Sequence, residues 1–246
     1  MGTVAAEPAA EAVDERPPVV NDFSIVAATV NGTGSQTANL ALLRALFKMG
    51  IPVNGKNIFP SNIQGLPTWY LIRASHEGYM ARKENSEILV AFNLATVQDD
   101  VNNLPPGGVC LYNGDWRSFP QRDDVSYYPI PVTQFVAKTG MKGKLKDYIA
   151  NMVYVGALAQ ILGITLEALD EALDYHFNSR RKLVDSNMSV IKEAYEWTAE
   201  NISKTDPYQV AAMDKTEGLI TMTGNEAAAL GAVYGGVTVV AWYPIT

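Results

Sequence analysis

The stretch FSIVAATVNGTGSQTANLALLRALFKMG, residues 23–50, decides the fold. Residues 23–30 are a short, mostly apolar run, the pattern of a strand buried on both faces. Asn31-Gly32-Thr33-Gly34-Ser35 is a turn, and residues 36–49 favour a helix that Gly50 closes at its C′ position. Arg44 and Lys48 make one narrow polar stripe on it. Leu40, Leu42, Leu43, Leu46, Phe47 and Met49 occupy the other faces, so most of the helix must be covered. Strand, glycine turn and covered helix open an α/β unit.

Working outward, further strands are expected at 51–59, 68–75, 87–92, around 109–112 and at 127–132. His76-Glu77-Gly78, between two strand-like runs, predicts a tight hairpin turn. The second half changes period. Leu145, Ile149, Met152, Val153, Gly156 and Ala159 share one helical face, and Gly163 ends that helix. Thr165 caps the next, with Glu167 in its first turn and Leu166, Leu169, Leu173 and Phe177 facing inward. A third helix is expected over 180–200. The expectation is an α/β fold: a mostly parallel, Rossmann-like sheet with an antiparallel hairpin and a helical C-terminal segment, then the start of a second α/β domain. Residues 1–20, rich in Ala, Glu and Pro, are expected to be a disordered tail, because they bury too little to offset ordering entropy. Residues 21–202 form the main domain and 203–216, polar with Pro207, a linker. Residues 217–246 restart the α/β pattern, with strands at 218–223 and 237–242 around a small-residue helix. One helix and one or two strands cannot close a core, so the chain is expected to end inside that second domain.

Composition excludes several function classes. With 26 acidic and 19 basic residues the net charge is −7, which disfavours non-specific nucleic-acid binding. The single cysteine, Cys110, makes no internal disulfide and cannot alone hold zinc or an iron–sulfur cluster. No apolar run approaches the about 20 residues that span a bilayer, and no secretory signal opens the chain. The cytoplasm is the expected compartment.

The glycine turn is where phosphate binding would be sought, since a helix N-terminus offers N–H groups and a positive dipole. A dinucleotide fingerprint needs a third glycine where Thr37 stands, and an acid where Lys56 and Asn57 stand. Gly50-x-x-x-x-Gly55-Lys56-Asn57 resembles a Walker A loop, but Asn57 replaces the metal-binding hydroxyl and the segment follows a helix. The loop NIFPSNIQGLPT, 57–68, is a candidate ligand loop at a strand end. His76 is read as an exposed turn residue and His176 as a helix-end residue.

Three segments carry a resemblance: VNGTGSQT at 30–37, FPSNIQG at 59–65 and NMVYVGA at 151–157. They resemble the gamma, or catalytic, domain of 2-oxoacid:ferredoxin oxidoreductases. GNEA at 224–227 and YPIT at 243–246 resemble the opening of the alpha subunit of the same family. Gamma followed by alpha in one chain looks like the fused form found in 2-oxoglutarate:ferredoxin oxidoreductases. The second domain would then be the start of the thiamine pyrimidine-binding domain, a thiamin fold.

The resemblance implies oxidative decarboxylation of a 2-oxoacid to an acyl-coenzyme A, with electrons passing to ferredoxin. It implies thiamine diphosphate with Mg, held mainly by a partner beta subunit, and iron–sulfur clusters on the partner or another domain. Coenzyme A is the co-substrate, and a hetero-oligomer is expected. Thr246 is the implied catalytic residue, in an active-site turn shaped by Tyr243 and Pro244. Gly32, Gly34, Ser35, Gln36, Asn62, Gln64 and Gly65 are the implied substrate and coenzyme A side. Thr33 and Ser35 stand where the family's turn usually carries glycine. No Gly-Asp-Gly diphosphate motif and no cluster cysteines occur, so this chain alone should be inactive. A non-catalytic coenzyme A or nucleotide-binding module is the alternative.

Overall fold

A computed structural model of the chain describes residues 16–59, 65–141, 143 and 145–241. Residues 1–216 form one compact unit and 217–246 another. In chain order the first unit contains β1 (Val19–Val20), β2 (Asp22–Val30), α1 (Ser35–Lys48), β3 (Val53–Ile58), β4 (Pro67–Ser75), β5 (Ile88–Ala91), α2 (Val97–Asn102), β6 (Val109–Asn113) and β7 (Ser126–Ile130). Then come α3 (Val132–Thr139), α4 (Leu145–Leu162), α5 (Leu166–His176), α6 (Arg181–Asn201) and β8 (Tyr208–Gln209).

The six-stranded sheet runs β3-β4-β2-β5-β6-β7. β2, β5, β6 and β7 are parallel, while β4 pairs antiparallel with both β2 and β3. Period-two alternation sorts β2. Phe23, Ile25 and Ala27 join the core under α1 and α3 to α6. Ala28 turns to the other face, where α2 and the aromatic group Tyr112, Trp116, Phe119 and Tyr127 cover it. Cys110 is fully buried on that face of β6, and burial pushes its thiol well up from its usual range.

The expected hairpin at His76-Glu77-Gly78 does not form. Both edges of β4 are already taken, with Ala74 opposite Val53 on one side and Phe23 on the other. β5 therefore pairs on the far side of β2, and the antiparallel hairpin is β3–β4. Two short helices, α2 and α3, were not anticipated; α3 starts at Val132, where the seventh strand was expected to end.

Helix α1 matches the reading of its sequence. Gly34 precedes it at φ +82°, Met49 caps it through its N–H to the Ala45 oxygen, and Gly50 follows at φ +79°. Helix α4 goes beyond its expected single face. Every residue from Met152 to Ala159 is buried, because neighbouring helices surround it. Gly156 is what lets α6 approach: a Cβ there would collide with the Ile191 carbonyl and lie 2.9 Å from Ala194 Cβ. Thr165 caps α5 as expected, accepting from Ala168 N–H at 3.2 Å.

Part of the expected tail is ordered. Val19 and Val20, just beyond Pro17-Pro18, pair in parallel with Tyr208 and Gln209. Backbone partners hold this segment, with Val19 packed against the core. The expected linker is docked along the domain: Val210 N–H donates to Leu162 O at 2.7 Å, Met213 N–H to Met49 O at 2.8 Å and Lys215 N–H to Gly50 O at 3.0 Å.

In the second unit, Thr223 and Glu226 form a capping box at the start of α7 (Gly224–Tyr234). The strands expected at 218–223 and 237–242 form no ladder among the described residues, which include no neighbouring strand to pair with them. No helix among the described residues is long and apolar enough to cross a membrane.

At the start of β2, Arg73 is buried and donates to Asp22, Phe23 O and Ala74 O. Burial alone would raise the Asp22 pKa, but the Arg73 hydrogen bond and charge outweigh it and hold the carboxyl below its usual value. A depressed folded pKa stabilises above the ordinary carboxylate range, and the contribution is lost as pH falls through the folded value. Asp22 is more than a third exposed, so solvent screening limits Asp22→Asn to about 1 kcal/mol at pH 7. The urea midpoints of wild type and Asp22→Asn should differ at pH 7 and converge as pH falls below the ordinary carboxylate range; equal midpoints at pH 7 would remove the pair from the stability account.

Candidate functional site

At the C-terminal end of β2 the chain leaves the sheet through two left-handed glycines, Gly32 at φ +85° and Gly34 at φ +82°. Asn31, Gly32, Gly34, Ser35, Gln36, Thr37 and Asn39 then line one wall of a cleft of about 280 Å³, and Asn57, Thr68 and Tyr148 complete it. No charged side chain is among these residues, so the cleft recognises by neutral donors and acceptors. Helix α1 has no side-chain cap and no acid in its first turn, which leaves its positive dipole end uncompensated toward the cleft.

The turn is held from behind. Thr29 Oγ1 donates to Ser35 Oγ at 2.8 Å, and Asn93 Nδ2, from the loop after β5, donates to Thr29 O at 3.4 Å. Asn151 Nδ2 donates to Thr33 O at 2.8 Å, and Tyr154 OH to Asn39 Oδ1 at 2.9 Å. Thr33 spends its own hydroxyl on Val30 O at 2.8 Å. Burial raises the Tyr154 pKa, so it stays a donor to Asn39. The Tyr148 ring lies over Gly34, where any Cβ would collide with it.

Four of the sequence-derived candidates, Gly32, Gly34, Ser35 and Gln36, therefore share this one cleft. Gly65 is next to it, its N–H donating to Asn31 O at 3.2 Å. Asn62, Gln64, Tyr243, Pro244 and Thr246 lie outside the described residues. Asn57 and Thr68, the two ends of the candidate ligand loop, close the cleft because β3 and β4 pair with each other, and Tyr148, which sequence reasoning missed, enters from α4. His176, read as a helix-end residue, reaches Thr37 and Arg44 across the α1–α5 contact.

A second hollow, about 500 Å³, opens on the other face between Trp69, Leu71, Glu84, Asp99 and Asp100. Asp100 accepts from Trp69 Nε1 at 2.8 Å and Thr96 Oγ1 at 2.6 Å, and burial raises its pKa in spite of both bonds.

A strand-end cleft at the start of a covered helix, in a sheet with helices on both faces, defines a ligand-binding domain of the open α/β class. Residues 24–197 match the family Pyruvate ferredoxin/flavodoxin oxidoreductase, and the chain belongs to that family. It is similar to 2-oxoacid:ferredoxin oxidoreductase 2, subunit alpha, of Aeropyrum pernix, with 18% identity over 92% of this chain and 41% of the relative. Ketoisovalerate oxidoreductase subunit VorA of Methanothermobacter thermautotrophicus is 26% identical over 48% of this chain and 24% of its own. Among solved structures, 2-oxoglutarate:ferredoxin oxidoreductase from Magnetococcus marinus, with 2-oxoglutarate, coenzyme A and succinyl-CoA bound, superposes with TM-score 0.78. It is 26% identical and covers 88% of this chain and 38% of that one. The gamma subunit of a keto/oxoacid ferredoxin oxidoreductase from Geobacter sulfurreducens shares the fold at TM-score 0.59 and 17% identity, over 72% of this chain and 99% of that subunit. The chain spans about two fifths of the length of the alpha-subunit relatives it matches.

Proposed function

We propose that this chain forms part of the alpha subunit of a 2-oxoacid:ferredoxin oxidoreductase, which decarboxylates a 2-oxoacid oxidatively to an acyl-coenzyme A and passes electrons to ferredoxin. The observation that carries this reading is the match to the Magnetococcus marinus enzyme over 88% of the chain. Residues 21–202 are assigned to the gamma domain, 203–216 to the connection and 217–246 to the start of the thiamine pyrimidine-binding domain. A beta subunit and ferredoxin are the expected partners in a cytoplasmic hetero-oligomer.

The described residues fit the proposed ligands unequally. They contain no group of three His, Cys, Asp or Glu side chains able to hold a metal ion, and Cys110 is buried. On this reading thiamine diphosphate with its Mg is held mainly by the beta subunit, and the iron–sulfur clusters by that subunit or another domain. Bound thiamine diphosphate supplies the electron sink for decarboxylation. The cleft does fit one end of coenzyme A. Gly32 and Gly34 let backbone approach a phosphate, and Ser35 and Gln36 stand at the N-terminus of α1. On this reading the chain binds and orients the acyl acceptor, and Thr246 offers a hydroxyl to the substrate carboxylate or carbonyl.

The full subunit with its beta partner is expected to reduce a viologen dye only when a 2-oxoacid and coenzyme A are both present. No reduction with any 2-oxoacid, in a cofactor-loaded complex, would reject the assignment. In the same complex Thr246→Ala should lower kcat/KM for the 2-oxoacid about tenfold, the worth of one hydrogen bond to a charged group. An unchanged value would take Thr246 out of the site.

A further inference from the structure

His176, the last residue of α5, has both ring nitrogens engaged. Arg44 Nη1 lies 3.1 Å from Nδ1 and Thr37 Oγ1 lies 3.2 Å from Nε2. A guanidinium only donates, so Nδ1 is an acceptor. The one proton of the neutral imidazole then sits on Nε2 and is donated to Thr37 Oγ1. Burial first, and the Arg44 charge second, lower the His176 pKa and keep the ring in that neutral form. Arg44 is itself held with its guanidinium 4.8 Å from the centre of the Tyr175 ring.

Thr37 lines the cleft from the first turn of α1. Because its oxygen accepts from His176, its own proton is left to donate. We propose that His176 is a positioning residue that makes the Thr37 hydroxyl a donor to an oxyanion bound in the cleft. The hydrogen bonds run in one direction, from Arg44 through His176 and Thr37 to the ligand. That direction agrees with the positive end of α1 and with the absence of a charged side chain in the lining. The inference rests on the proposed function, with the cleft as a ligand site of a 2-oxoacid oxidoreductase. The oxyanion is either a coenzyme A phosphate or the carboxylate of the 2-oxoacid.

The test uses the native complex in five forms: wild type, Thr37→Val, Thr37→Ser, His176→Phe and the Thr37→Val/His176→Phe double variant. Each is titrated by calorimetry with coenzyme A and, separately, with 2-oxoglutarate, and kcat and KM are measured alongside. Thr37→Val removes the hydroxyl and keeps the shape, whereas Thr37→Ser keeps the hydroxyl. Thr37→Val and His176→Phe should each weaken one ligand about five- to tenfold and raise its KM to match, and Thr37→Ser should bind as wild type. The double variant should bind no more weakly than Thr37→Val, because two residues acting through one hydroxyl are not additive. A loss confined to coenzyme A identifies the phosphate, a loss confined to 2-oxoglutarate identifies the carboxylate, and either supports the proposal. Unchanged affinity for both ligands in Thr37→Val, or full additivity in the double variant, overturns it while leaving the functional reading in place. A wild-type complex that binds neither ligand overturns the functional reading, and the proposal with it.

Discussion

Asp206→Ala is expected to destabilise the first unit by about 4 kcal/mol, the cost of leaving two buried donors and a part-exposed ammonium without their shared acceptor. The Asp206 side chain is fully buried. It accepts from Lys204 Nζ at 2.6 Å, Tyr128 OH at 2.7 Å and the Tyr208 N–H at 2.9 Å. Removing it strands an ammonium whose pKa burial already lowers, against the opposing pull of Asp206. It also strands a phenol on β7 whose pKa is raised, by burial first and the Asp206 charge second. The Tyr208 N–H lost with it belongs to β8, the strand that pairs with β1. Thermal unfolding should shift down by roughly 10 °C for a unit of this size. Asp206→Asn, which keeps the shape and one acceptor, should recover part of the loss. A midpoint equal to wild type in Asp206→Ala would mean that the docked segment contributes no stability.

Gly156→Ala comes next, at about 3 kcal/mol of destabilisation. In an exposed helix the same change would stabilise by roughly 1 kcal/mol, because alanine is the better helix former. Here the new methyl would meet the Ile191 carbonyl of α6, and a helix backbone cannot give way as a side chain can. Nor can α4 step aside, since it is buried all round from Met152 to Ala159. The sign of the effect therefore separates the two influences. A lowered denaturant midpoint shows that close approach dominates, and a raised one shows that α4 and α6 separate freely.

What was legible in the sequence follows from range. β2, the glycine turn and α1 were readable because the information is local: an apolar run, two glycines, and a helix ended by Gly50. Thr165 and Gly163 marked their helix ends for the same reason. The partner of β4 was not readable, because register depends on which neighbour reaches each edge first, and a Gly-containing turn at 76–78 looks like a hairpin from inside the chain. The 203–216 segment reads as polar because its few apolar anchors, Tyr208, Val210 and Met213, are scattered among polar residues, and the rest of its docking runs through backbone groups and one buried acid.

The site divides along the same line. Gly32, Gly34, Ser35 and Gln36 lie within five residues of one another and could be found together. Thr68 was reached only as the end of the candidate loop 57–68, and Tyr148 comes from α4 and carries no motif. His176 reads from the sequence only as a helix-end residue, because its partners lie 132 and 139 residues away and touch it through the packing of α1 on α5.

The buried thiol of Cys110 has a practical consequence. It is the only cysteine in the 246 residues, and it is enclosed between the sheet and α2 with its ionisation suppressed. Alkylating reagents act on exposed thiolate, so in the folded protein the native chain is chemically silent toward them. A cysteine introduced at any solvent-facing position would thus be modified alone, without first deleting a native one. Spin labels or fluorophores set on the first and second units would then report the distance between them, and its change when a ligand or a partner subunit is added.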